Sequence, residues 1–298
     1  MATRLILDRA LLFRLLGLAS LAVTLASSCG PSPETDSRLS AAVTILPQAA
    51  FVTAVGGDMV DVIVMVPPGA DPHTFELAPS QMTKLAHAEL YFKVGSGVEF
   101  ELAWLDKILA QNRQLQVVDC SEGIRLLQQQ AGREPAGTPD PHVWMSPANA
   151  MIMVRNICDG LVEADPANRD RYEANRDAYL QQLEALDRDI KAAVSGMTDR
   201  VIMVYHEALG YFADEYGLTV LTIEAEGKEP TASDLARLID EAREYGIEVI
   251  FASPEFSQAA PNVIAGEIGG TVVLVDPLAE DYITNMRSFL SDLVEAVR

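Results

Sequence analysis

Histidine, cysteine, aromatic residues and positive charge are all scarce in this chain. Its 298 residues include 4 histidines, 3 cysteines and 2 tryptophans, and aromatic residues make up 6%. Lysine and arginine total 22 against 43 aspartates and glutamates, for a formal net charge of −21. A phosphate backbone would be repelled over most of such a surface, which argues against nucleic acid as a partner. Long apolar runs are missing too. The amino-terminal one, LLGLASLAVTLA at residues 15–26, is about a dozen residues long, where a membrane-spanning helix needs about 20. The remaining composition, 49% hydrophobic against 22% charged, is that of a globular protein with enough chain for about two domains.

The short apolar run follows Arg4, Arg9 and Arg14, the order of a secretory signal peptide, so residues 1–28 are expected to be a signal and the protein to be exported. The run ends in LASSC, which resembles the lipobox of bacterial lipoproteins. That resemblance implies lipidation of Cys29, with plain signal cleavage nearby as the alternative. Residues 29–40, rich in Pro and Ser, read as a lipidated cysteine and flexible tether, so the membrane is reached through an anchor only. Cys120 and Cys158 then remain, either paired in an oxidising compartment or as two buried thiols.

From residue 41 onward short β-branched runs alternate with helical patterns: AAVTIL (41–46), VDVIVMV (60–66), ELYFKVG (89–95) and QLQVVDC (114–120). A second set follows at RVIMVYH (200–206), LTVLTIE (218–224), GIEVIFAS (246–253) and TVVLVDP (271–277). This is the βαβ rhythm of parallel sheets covered on both faces. The expected fold is α/β, with two lobes, each a mostly parallel sheet flanked by helices. The lobes span 41–164 and 197–298 and are joined by one long connector helix at 165–196. That helix carries an apolar stripe at Tyr172, Tyr179, Leu183, Leu186, Ile190 and Val194, with Asp165 expected as its N-cap and Pro166 at its first position. A helical connector bends little, so the cleft between the lobes is expected to be largely preformed.

Three of the four histidines fall just past a strand or in a polar loop: His73 in GADPHTFELAPS, His142 in PDPHVWMSP, and His206 after VIMVY. His87 lies in a helical pattern and reads as an ordinary surface or packing residue. Ligands of open α/β sheets gather beyond the carboxyl ends of strands, where this reading also places Asp276. His73, His142, His206 and Asp276 would together offer three imidazoles and a carboxylate, a donor set suited to tetrahedral Zn²⁺. Both DPH tripeptides place a proline beside the histidine, which holds the local backbone.

The ordered motifs GADPHTFELAPS, PDPHVWMSP, YHEALGYFADEYG (205–217), EGKEPTASDL (226–235) and VDPLAED, spread around a long connector helix, resemble the metal-binding lipoproteins of bacterial zinc and manganese ABC importers, the cluster A-I or cluster 9 substrate-binding proteins. The resemblance covers nearly the whole mature chain. It implies His73, His142, His206 and Asp276 as metal ligands, a membrane ABC permease as partner, and a monomeric receptor. Manganese-specific members usually carry glutamate where this chain has His206, which favours zinc. The His-rich loop of many zinc-specific members has no counterpart in QQQAGREPAGT (128–138), and Mn²⁺ stays open. Glu255, in FASPEF, is expected to orient one histidine from outside the coordination shell.

Two other classes compete with this reading. HEALG (206–210) begins like HExxH but has Gly210 as its fifth residue, so the two-histidine face of a metalloprotease helix is missing and a zinc hydrolase is disfavoured. A surface adhesin needs no metal and would tolerate loss of all three histidines.

Overall fold

The computed structural model of the protein describes residues 38–129, 139–224 and 228–296. The expected signal peptide, Cys29 and nearly all of the expected tether lie outside these residues. Strand β1 (Leu39–Val43) already opens at Leu39, which is buried and pairs with Val60, so the first lobe begins slightly before residue 41.

The first lobe continues with helix α1 (Leu46–Gly56), strand β2 (Val60–Val64), helix α2 (Pro79–Leu85), strand β3 (Leu90–Lys93), helix α3 (Glu99–Gln111), strand β4 (Gln116–Asp119) and helix α4 (Pro147–Ala164). Its sheet has the order β2-β1-β3-β4 and every pairing is parallel. The second lobe repeats the plan with β5 (Val201–Val204), α6 (Gly210–Tyr216), β6 (Thr219–Thr222), α7 (Ala232–Glu244), β7 (Val249–Ala252), α8 (Ala259–Ile268), β8 (Thr271–Leu274) and α9 (Tyr282–Ala296). Its order, β6-β5-β7-β8, is again all parallel. In each sheet the first strand is central and the chain leaves it in both directions, which opens a crevice at the carboxyl edge where a ligand can sit.

Between the lobes runs α5 (Arg169–Ser195), about 40 Å of helix at 1.5 Å per residue. Tyr172, Leu180, Leu183, Leu186, Ile190 and Val194 form its buried stripe, and it packs on α1 and α4 of the first lobe and on α6 and α9 of the second. Its opening differs from the expected cap. Pro166–Asn168 form a separate 3-10 turn, and the Asp165 carboxylate caps no backbone amide; it accepts instead from the Asn168 side chain and the Tyr172 hydroxyl. Proline at 166 removes one amide donor from that turn, and two nearby side chains satisfy the carboxylate in its place.

One hydrophobic core runs without a break through the first lobe, the connector and the inner helices of the second, where Phe51 meets Tyr282 edge-on and Phe212 meets Phe289. A smaller core, built on Met203, Ile250 and Leu238, fills the outer face of the second sheet. Cys120 and Cys158 are both free and buried. Among the described residues no helix is long and apolar enough to cross a membrane.

Candidate metal centre

Three segments of the chain share one local device. In Asp71-Pro72-His73, Asp140-Pro141-His142 and Asp276-Pro277-Leu278, the aspartate Oδ1 accepts the backbone N–H two residues on, at 2.9, 2.9 and 2.7 Å. Each is an Asx turn with proline at its centre, which fixes the backbone and has no amide of its own to compete. All three turns lie beyond the carboxyl ends of strands, two in the first lobe and one in the second.

The turns and the end of β5 bring three imidazoles together. One ring nitrogen each of His73, His142 and His206 lies within 4.8 Å of the other two, and Nε2 of His142 and Nε2 of His206 are 3.1 Å apart. The outer nitrogens are all occupied by carboxylates. His73 Nδ1 is 2.7 Å from Glu99 and His142 Nδ1 is 2.8 Å from Asp140, while His206 Nδ1 makes a very short contact with Glu224. A carboxylate holding Nδ1–H fixes the tautomer and leaves the Nε2 lone pair facing inward. The side chains of His142 and His206 are only 6% and 11% exposed, and that of His73 is 20% exposed, so solvent reaches the cluster mainly past His73.

The sheet register explains the pair from the second lobe. Val204 lies beside Thr222 in the β5–β6 pairing, so the same offset carried two residues on places His206 beside Glu224. On the other side, Trp144 and Phe256 wall the cavity, with ring centroids 5.3 Å from His142 and 4.6 Å from His206 respectively. The seam is tied by buried hydrogen bonds: Trp144 Nε1 donates to the Pro277 carbonyl, Tyr282 to the Trp144 carbonyl, and Tyr211 to the Asp140 carbonyl. Gly210 approaches the same carboxylate so closely that a Cβ there would stand 2.3 Å from Asp140 Oδ2.

Burial dominates the electrostatics. It pushes the His142 pKa well below its ordinary value, with His206 and His73 adding to the effect, so His142 is held neutral. It also pushes Asp140 up to about 7, against the His142 N–H and the neighbouring histidines. Burial would lower His73 as well, but the Glu99 carboxylate more than reverses it and the pKa stands above the ordinary histidine value. Glu99 itself is held below the carboxylate range, its burial outweighed by His73.

The three histidines therefore meet, and His87 lies exposed elsewhere. Neither Asp276 nor Glu255 belongs to the tight cluster. Glu255, expected to orient a histidine, sits against Asp276 instead, because all three Nδ1 positions are taken by Glu99, Asp140 and Glu224. Burial first, and then the facing Asp276, push the Glu255 pKa up to about 7. Of the three orienting carboxylates, Asp140 had a readable signal, the DPH turn, while Glu224 is set beside His206 by the β5–β6 register, which spacing alone does not give. Glu99 lies 26 residues from its partner and has no such signal.

A buried three-imidazole cluster with an outer ring of carboxylates is a set that could hold a divalent cation. The model of the family ZnuA, zinc-uptake complex component A, periplasmic, matches residues 42–296. The chain belongs to the ZnuA family. ZnuA, the high-affinity zinc uptake system protein of Bacillus subtilis, is 28% identical over 263 residues, covering 85% of this chain and 82% of that one. A crystal structure of a ZnuA deletion mutant with zinc bound is 38% identical, with a TM-score of 0.82 over 88% of this chain and 98% of that one. The laminin-binding protein of Streptococcus agalactiae, described as bifunctional in adhesion and metal transport, is 25% identical with a TM-score of 0.79 over 88% of this chain and all of that one. ZnuA-family proteins are extracytoplasmic solute-binding components of metal uptake systems, which fits the paired α/β lobes of this chain.

Proposed function

We propose that this chain captures Zn²⁺ between its two lobes and delivers it to an ABC permease in the membrane. The observation that carries the reading is the convergence of one ring nitrogen from each of His73, His142 and His206, with every Nδ1 backed by a carboxylate. His73, His142 and His206 supply three donors, and the carboxylate of Asp276, on the turn after β8, supplies the fourth. Three imidazoles and one carboxylate suit zinc better than manganese, which prefers oxygen-rich, six-coordinate surroundings.

The chemistry is capture without bond-making catalysis. His142, kept neutral by burial, is ready to coordinate without first losing a proton. Glu99, Asp140 and Glu224 partly offset the charge of the incoming cation. Trp144 and Phe256 keep water away from two of the rings. The tied seam and the shared core oppose a wide swing of one lobe against the other, so entry and release run through small movements of the loops after β2, β7 and β8. Cys29 tethers the receptor close to the permease.

The test is metal analysis of protein refolded without metal and dialysed against equimolar zinc and manganese. One bound zinc per chain is expected, with retention weakened by His206→Ala. A manganese-loaded protein would move the cargo assignment, and a metal content near zero would remove it. Unchanged retention in His206→Ala would do the same and leave the adhesin reading in front.

A further inference from the structure

The first turn of α3 joins the metal centre to the outside of the molecule. Glu99, its first residue, holds His73 Nδ1, and the next residue, Phe100, donates its backbone N–H to the Pro72 carbonyl and packs its ring on Phe75. The helix end is therefore tied to both sides of His73. Glu101, fully enclosed, accepts the amides of Val94 and Gly95 and anchors the same turn to the carboxyl edge of the sheet. Leu102 then points the other way. It is 74% exposed, more than any other large apolar side chain among the described residues.

A single exposed leucine is ordinary on a protein surface; the company of this one is not. Glu99, Leu102, Ala103 and Asp106 are three and four residues apart, so they share one face of the helix. Leu102, Ala103 and Asp106 are exposed, and the Glu99 side chain is 43% exposed even while it holds His73. The one basic residue of α3, Lys107, is drawn aside over the Trp104 ring. The face thus offers one apolar knob with a carboxylate one turn away on either side. Its complement is an apolar socket flanked by Lys or Arg. An anionic lipid surface would be repelled by it, as by the net charge of −21.

We propose that this face of α3 is where the ABC permease docks, and that a basic side chain of the permease draws Glu99 away from His73 so that docking loosens the ion. This rests on the receptor reading above and adds the contact surface and the trigger. His73 is the imidazole that solvent reaches and stands on the loop after β2, so the ion is released on the open side of the cluster. Loss of an outer carboxylate costs roughly 10- to 100-fold in metal affinity, which sets the scale of the effect. Linkage is reciprocal, so the permease should hold the metal-free chain more tightly than the zinc-loaded chain by the same factor.

The experiment uses the full chain with its cognate permease in proteoliposomes, and vesicles of the same lipid without permease. Zinc affinity is measured by chelator competition with and without each kind of vesicle, and zinc uptake is followed with ATP inside. For the wild type, permease vesicles should weaken zinc binding by roughly 10- to 100-fold and empty vesicles should not change it. Leu102→Asp should match the wild type in zinc affinity when alone, lose the weakening by permease, and take up zinc at least about tenfold more slowly. Ala103→Arg, which puts bulk and the wrong charge on the same face, should behave alike and is read instead if Leu102→Asp does not fold. Val263→Asp, at an exposed apolar residue of α8, should transport like the wild type. The inference is overturned if the α3 variants transport normally, if they lose zinc affinity without permease, if Val263→Asp is equally impaired, or if empty vesicles weaken zinc binding as much as permease does; in each case a wild type that binds and delivers zinc leaves the receptor reading standing. A wild type that binds zinc and supports no uptake overturns delivery, and this step with it.

Discussion

Across the seam between the lobes, the indole Nε1 of Trp144 donates to the carbonyl of Pro277 at 2.8 Å, and both groups are buried. The bond joins the turn that carries His142 to the turn that carries Asp276, so the two sides of the metal centre are fixed to one another as well as to their own lobes. Trp144→Phe keeps an aromatic wall but leaves the carbonyl without a donor, at a cost of about 1–3 kcal/mol for the orphaned group. Thermal unfolding should shift down by several degrees, and zinc retention should fall with it. An unchanged midpoint would mean that the seam is held elsewhere.

Asp140→Asn and Glu224→Gln each remove the charge behind one imidazole without touching a metal donor. Each is expected to lower zinc affinity by roughly 10- to 100-fold. Chelator competition at fixed pH measures the loss. Equal affinity in both variants and the wild type would show that the outer carboxylates neither orient nor charge the site.

Proton competition has a definite sign here. Glu99 holds the His73 pKa above its ordinary value, while burial holds that of His142 far below. As pH falls, His73 is protonated before His142, and zinc retention should begin to drop as pH passes down through the raised His73 value. In Glu99→Gln the largest raising influence is lost while burial, Asp71 and Glu224 remain, so the His73 pKa in the metal-free protein should fall from its wild-type position. Proton NMR of the ring hydrogens reads both values, and a His73 titration that does not move in the variant would contradict the assignment.

Gly210 offers a test at a residue that has no donor atom to give. A Cβ at this position would meet Asp140 Oδ2 at 2.3 Å, and Asp140 cannot retreat easily because Tyr211 holds its carbonyl. Gly210→Ala should therefore displace the carboxylate from His142 and lower zinc affinity by about tenfold, within the range for outer-shell losses. The first turn of α6 accepts alanine readily, so circular dichroism should stay unchanged.

Much of this molecule is legible in its sequence because the relevant patterns are local. The eight strands of the described residues fall where β-branched runs stand between helical stretches, and the apolar spacing of α5 marks its buried face. His73, His142 and His206 are conspicuous since each follows a strand or sits in a proline turn. What could not be read is the pairing across distance. The partner of His206 follows from the β5–β6 register, which sequence spacing alone does not give. The partner of His73 comes from the start of α3, and that helix is brought into place by Glu101, which is buried beneath the sheet and accepts the amides of Val94 and Gly95. A carboxylate buried in this way looks, in a linear reading, like any other acidic residue on a helix. Glu255 was legible as a residue near the site, but its neighbour was not, because the contact with Asp276 arises from two adjacent parallel strands ending together.

The three Asp-Pro turns have a consequence for how the binding loops can vary. Each closes on atoms only two residues apart, so the pose of His142 is set by its immediate neighbours rather than by the length of chain leading to it. Residues inserted between β4 and Asp140 would lengthen the approach and leave the imidazole where it is. The protein could accordingly be given a new metal-sensing or metal-gathering segment at that point, by grafting, without redesign of the cradle it feeds.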